Sequence, residues 1–342
     1  DDEIEEEDIV KGSFLSDSYF LSAVAGLTQF PDFLWKLFYN KEKSKNHSYG
    51  VYLMINGEWK MVLLDDYLPC ITNKEGVDHL CFTNNRGNEI WVSLLEKAWA
   101  KLNGNYINIG SGTGGNPHDV FQILTEAYSE MIPTPLPYYN MRNKTDGERE
   151  DDPFWNKLLR AQKQGYIMTA CTYDSDKCEK KGLHPDMSYL VMRFWDLYDK
   201  TGKDIKLVDL KTSTKGEEWN GEWSDFSQMW TPEIEELLGK KSAIENGEFF
   251  MSYKDFLKYF KMVNICYFHP DYLYTVRNVG KDNLKGPCLT QVTVNEDETD
   301  CFFRVIQKNP KFNHWEKNGS CTHTVPQYIM LLKENGEYLK SE

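Results

Sequence analysis

The chain has 342 residues, 40% of them hydrophobic and 14% aromatic, which is enough apolar material for two or three packed domains and too much for a disordered segment. Its 53 acidic residues against 39 basic ones give a formal charge of −14, which argues against a phosphate-neutralising surface and so against nucleic acid as a partner. Eight cysteines lie scattered without a Cys-x-x-Cys pair and read as reduced thiols of a cytoplasmic protein, and no apolar run reaches the roughly 18 residues of a membrane span.

In chain order, residues 1–8 (DDEIEEED) form an acidic leader, and the lack of an initial Met suggests a piece of a longer chain. Ser16, Asp17 and Ser18 stand before an apolar run in which Leu21, Val24, Ala25 and Thr28 repeat at helical spacing. Ser18 therefore reads as a helix cap, because a hydroxyl gains little as a nucleophile without a partnered base. Pro31 breaks the pattern before Tyr39. Alternation on both sides of Asn56-Gly57 predicts a β-hairpin, and residues 88–104 predict an amphipathic helix ended by Asn103-Gly104.

Gly110, Gly112 and Gly115 match a dinucleotide-binding fingerprint by letter, but the intervening YINI is too short for the strand that fingerprint needs, so the stretch reads as a loop. Residues 151–173 predict a helix and then a strand, residues 188–211 a hairpin around Thr201-Gly202-Lys203, and residues 245–268 a turn, strand, helix and strand. Past residue 263 helical spacing stops, and two further hairpin patterns predict part of a β-sandwich. The class is α+β with an all-β end.

Four stretches, GEWKMVLLDDYLP (57–69), NEIWVSLLEKAWAKLNG (88–104), EEWNGEWSD (217–225) and ENGEFFMSYKDFLKYF (245–260), resemble the calpain family in order and spacing. The resemblance implies a two-lobed papain-like protease core followed by an antiparallel β-sandwich. Its parts are an acidic leader (1–8), a helical first half (9–126), a β-rich second half (127–262) and the sandwich (263–342). It also locates the catalytic positions. Ser18 stands where the family has cysteine, Met187 where it has histidine, and Thr212 where it has asparagine. The shielding tryptophan matches Thr214, and Lys11 stands near the place of the oxyanion glutamine. His184 lies three residues before Met187, an offset that on a strand points to the other face.

Loss of nucleophile, base, orienter and oxyanion donor together removes the transition-state stabilisation that defines the enzyme. The resemblance therefore implies a pseudoprotease with no catalytic residues. Such a module would serve as a scaffolding or protein-binding element of a larger intracellular assembly, with the cytoskeleton or cilium as its address. It also implies calcium sites: Glu218, Asp225, Glu248 and Asn246 in the second half, and Glu126 with Asp8 in the first. The alternatives are a calcium-responsive regulatory module and a residual endopeptidase using Ser18 with His184. Trp219 and Trp223 read as packing residues, Asp65-Asp66 as a structural pair, and Cys171, Cys178 and His184 lack zinc spacing.

Overall fold

The computed structural model describes residues 4, 9–12, 14–84, 89–110, 115–135, 152–198, 202, 204–212, 218–239, 247–276, 291–293, 300–306 and 312. The apolar run after Asp17 forms α1 (Ser18–Leu27), and Pro31 opens a second helix, α2 (Pro31–Lys36), at the position where its missing N–H costs nothing. The alternating segments pair as β1 (Ser48–Ile55) and β2 (Glu58–Asp65). Asn56 and Gly57 both take positive φ, 54° and 84°, the turn whose twist matches that of the two strands. A small hairpin, β3 (Cys70–Thr72) with β4 (Asp78–Leu80), precedes α3 (Trp91–Leu102).

A 3-10 turn (Tyr106–Ile109) leads to α4 (Pro117–Thr125), capped by Asn116, whose side chain accepts from the Asp119 N–H. The glycine stretch is thus preceded by a turn and not by a strand, and the context that a dinucleotide fingerprint requires is absent. A Cβ at Gly115 would overlap the Tyr19 ring, so that glycine serves close packing on α1.

Among the described residues the second half forms one six-stranded antiparallel sheet. Its strands are β5 (Ser129–Pro133), β6 (Ile167–Thr172), β7 (Ser188–Tyr198), β8 (Asp204–Lys211), β9 (Glu248–Ser252) and β10 (Phe260–Cys266), in spatial order β5-β10-β6-β7-β8-β9. Helices α5 (Pro153–Lys163), α6 (Asp176–Glu179), α7 (Pro232–Leu238) and α8 (Tyr253–Tyr259) connect the strands.

The boundary placed at 262/263 falls inside β10 and needs correction. Val263 and Ile265 are fully buried in this sheet's core, and β10 continues its pairing with β5 and β6 to Cys266. The hairpin patterns expected in 288–308 and 326–339 lie outside the described residues, apart from 291–293 and 300–306, which are in no strand.

Among the described residues three apolar clusters form the core. The first joins α1, α3, α4 and the β1–β2 hairpin, and Ile167, Leu190, Cys266 and Phe268 of the second half enter it. The second lies between the sheet, α5 and α8, and a small third one gathers Leu207, Trp223, Leu238 and Phe250. A Cβ at Gly26 would overlap Ile167, which shows how closely α1 is set on the sheet. No helix among the described residues is long and apolar enough to cross a membrane.

Candidate functional site

The fold brings Ser18, Met187 and Thr212 to one seam. Ser18 is the first residue of α1, Met187 immediately precedes β7, and Thr212 immediately follows β8, whose Lys211 pairs with Leu190 of β7. Ser18 does not cap α1, contrary to the expectation. Asp17 holds the cap position without a side-chain cap bond, and the Ser18 Oγ instead accepts the backbone N–H of Ser188 at 3.1 Å. The hydroxyls of Ser22 and Ser188 meet at 2.7 Å one turn further along. Two serines of α1 therefore fasten it to the start of β7, and the position matched to a nucleophile is occupied in joining the two halves.

Met187 supplies no base. Its side chain is buried in the second core, and its backbone exchanges hydrogen bonds with Thr172, whose N–H donates to the Met187 carbonyl at 3.0 Å and whose Oγ1 accepts from the Met187 N–H at 2.9 Å. His184 stands in the loop before β7 and not on a strand, which corrects the offset argument. Its backbone is fixed by Tyr189 and Thr172, and its buried Nε2 has no hydrogen-bond partner among the described residues. Thr212 is buried, and its N–H donates to the Gly247 carbonyl at 2.8 Å. Thr214 lies outside the described residues, and the Lys11 ammonium donates to the Gly12 carbonyl at 3.4 Å.

The residues expected around calcium are partly assembled. Glu218 Oε1 accepts the Gly247 N–H at 2.5 Å, which sets Glu218 beside the start of β9 and hence near Glu248. Asp225 lies in the turn-rich segment that follows Glu218. Asn246 and Asp8 lie outside the described residues. In the first half, Glu126 ends α4 with φ 64° and accepts the Trp59 Nε1–H at 3.0 Å. Arg304, whose guanidinium donates to the Ala127 carbonyl at 3.4 Å, brings a positive charge close to Glu126, and this opposes the lowering of the Arg304 pKa by burial. Among the described residues no three histidine, cysteine, aspartate or glutamate side chains converge as a metal would need.

Other residues singled out in the sequence have structural partners. Asp65 receives the Lys97 ammonium at 2.6 Å, which holds its carboxyl below the ordinary range, and Asp66 faces His47 at 3.0 Å. Trp219 and Trp223 are buried, the first against Tyr259 and the second against Trp230. The six described cysteines are free thiols, and burial pushes Cys171 and Cys178 up.

The sequence reading missed a buried acid pair beneath Ser18. Asp17 and Glu96 are each 1% exposed and face one another, and desolvation is the largest cause raising the pKa of both. A signal for it exists. In WVSLLEKAWAKL, Glu96 falls on the same stripe as Val92, Leu95 and Trp99, where a helix buries its apolar face.

The family model described as calpain family cysteine protease matches residues 1–267. Among curated proteins, a calpain-type cysteine protease of Oryza sativa subsp. japonica is 30% identical over 286 residues, 82% of this chain and 12% of that protein. Calpain-8 of Mus musculus is 31% identical over 278 residues, 78% of this chain and 36% of its own length. The Calpain-1 catalytic subunit of Bos taurus is 30% identical over 282 residues, 79% of this chain and 36% of its own. The chain thus spans a minor part of the relatives it matches.

Proposed function

This chain belongs to the calpain family of cysteine proteases, and we propose that within it the chain is a catalytically inactive module, a pseudoprotease that serves as a structural or protein-binding element of a larger intracellular assembly. The observation that supports this best is the occupation of Ser18. Its Oγ accepts the Ser188 N–H, and the residue at the start of β7 matched to the family histidine is a buried Met. A serine hydroxyl attacks a carbonyl only when a base takes its proton, and among the described residues no base is hydrogen-bonded to this one. The cytoskeletal or ciliary address belongs to the same proposal and rests on the resemblance alone.

A fluorogenic peptide assay with and without calcium tests the reading. Wild type and Ser18→Ala are expected to show the same background. Cleavage that disappears in Ser18→Ala overturns the proposal. Equilibrium unfolding of the same variant is expected to show a loss of about 1 kcal/mol, the usual worth of one intramolecular hydrogen bond.

A second reading, a calcium-responsive module, has one observation in its favour. The Glu218–Gly247 hydrogen bond gathers two of the carboxylates, Glu218 and Glu248, at the start of β9. Carboxylate and carbonyl oxygens suit calcium. Calorimetric titration is expected to give calcium heat that falls in Glu218→Gln if this reading holds, and no heat at millimolar calcium removes it.

A further inference from the structure

Beneath the first residue of α1 two carboxyl groups are buried together, and their surroundings are not those of two free anions. Glu96, on α3, accepts from the Thr83 N–H at 3.1 Å and from the Thr83 hydroxyl as well, so its oxygens are arranged as a carboxylate receiving donors. Asp17 has a different environment. Its Oδ2 is buried with no hydrogen-bond partner among the described residues, although the residue holds the cap position of α1, where an ionised carboxylate would ordinarily take an N–H of the first turn. An unpaired charge in that position is costly, and a neutral acid that donates to its neighbour is not.

We propose that Asp17 and Glu96 share one proton, held on Asp17 and given as a hydrogen bond to Glu96, and that this acid pair fastens the start of α1 to α3 and loosens as the pH rises. The charged and titratable groups around the pair come from every element that packs on it. Lys11, in the segment before α1, is the cation in range among the described residues and lowers both carboxyls; Tyr19 of α1 and Tyr106 of the 3-10 turn are neutral phenols. Asp65 at the end of β2 acts on Tyr106, and it is already paired with Lys97. Burial of the pair raises both carboxyls, and the charge of Glu96 adds to the effect on Asp17.

The sign follows. The folded chain keeps a proton that the unfolded chain gives up in the ordinary carboxylate range, so the folded state binds more protons above that range and stability falls with rising pH. Ser18, the neighbour of Asp17, holds Ser188 of the second half. Loosening the start of α1 therefore weakens the seam between the halves, which makes the pair a pH-sensitive element of the inter-half contact.

The test uses Asp17→Asn, which keeps a donor toward Glu96 but cannot ionise, and Glu96→Gln. Thermal unfolding between about pH 5.5 and 8.5 is expected to show Asp17→Asn gaining on wild type as the pH rises, by about 4–8 °C across the range. In the infrared, the C=O band of a protonated carboxylic acid in wild type at neutral pH is expected to vanish in Asp17→Asn and to shift in Glu96→Gln. Asp209, also buried and raised, is unchanged in all three proteins, so its contribution cancels in the difference spectra. A difference in unfolding temperature that is independent of pH, or identical carboxyl bands in all three, overturns the proposal. The wild-type and Glu96→Gln spectra decide it even where Asp17→Asn does not fold.

Discussion

Gly182→Ala is expected to lower stability by on the order of 3 kcal/mol and the unfolding temperature by about 6–10 °C. Gly182 has φ +75°, a backbone region that costs an L-residue about 1–2 kcal/mol. A Cβ there would also overlap the main-chain carbonyl oxygen of Glu218, and backbone cannot swing aside as the end of a side chain can. Moving a packed neighbour costs a further ~1–3 kcal/mol. The two segments are tied at neighbouring points, since the Asn220 N–H donates to the Lys181 carbonyl at 3.0 Å and the Lys181 ammonium lies 5.9 Å over the Trp219 ring. The same substitution displaces Glu218 from the Gly247 N–H, so any calcium response of the second half is expected to fall with it. An unfolding temperature within a degree of wild type would show that the 180–182 turn does not rest on residue 218.

Trp155→Ala is expected to cost about 3–5 kcal/mol, as truncation of a fully buried aromatic does. Trp155, 1% exposed, meets Tyr253 of α8 at 4.5 Å and Phe194 of β7 at 5.5 Å between ring centroids, and the Lys206 ammonium of β8 lies 5.3 Å over it. Its Nε1–H donates to Asp196 at 3.3 Å. One side chain thus joins α5 to both strands of the central hairpin and to the helix between β9 and β10. The cap of α5 shares the arrangement, because Asp152 accepts from the first turn of that helix and from the Tyr253 hydroxyl. Urea unfolding measures the loss. Trp155→Phe, which keeps the ring contacts and drops the hydrogen bond, is expected to lose about 1–2 kcal/mol. Equal losses for the two variants would contradict the packing account.

What the sequence discloses and what it hides differ in range. The two-residue turn at Asn56-Gly57, the break at Pro31 and the strand–helix–strand run of 248–266 are local, written in φ preferences and in periods of 2 and 3.6, and the structure has them. The pairing of β5 with β10 joins Glu130 to Ile265, and no local pattern marks β5 as a strand. The role of Ser18 fails to show for the same reason. Ser, Asp, Ser before an apolar run reads as a cap, yet the acceptor of interest is filled by Ser188, 170 residues away. Asp17 and Glu96 are likewise brought together only by the packing of α1 on α3. Ser18, Met187 and Thr212 are matched to catalytic positions only through the spacing that the family resemblance supplies, and no local pattern marks them; they stand at the start of α1, just before β7 and just after β8.

The most direct test of the proposal that the Ser18 position is inactive is intact-mass spectrometry of the folded chain after treatment with a fluorophosphonate, which labels a serine only when a base activates it. No adduct is expected on wild type, with or without calcium, since the Ser18 hydroxyl is held by the Ser188 N–H and Met187 stands where a base would be needed. A single adduct that maps to Ser18 and is lost in Ser18→Ala would contradict the account and restore a hydrolase at this site.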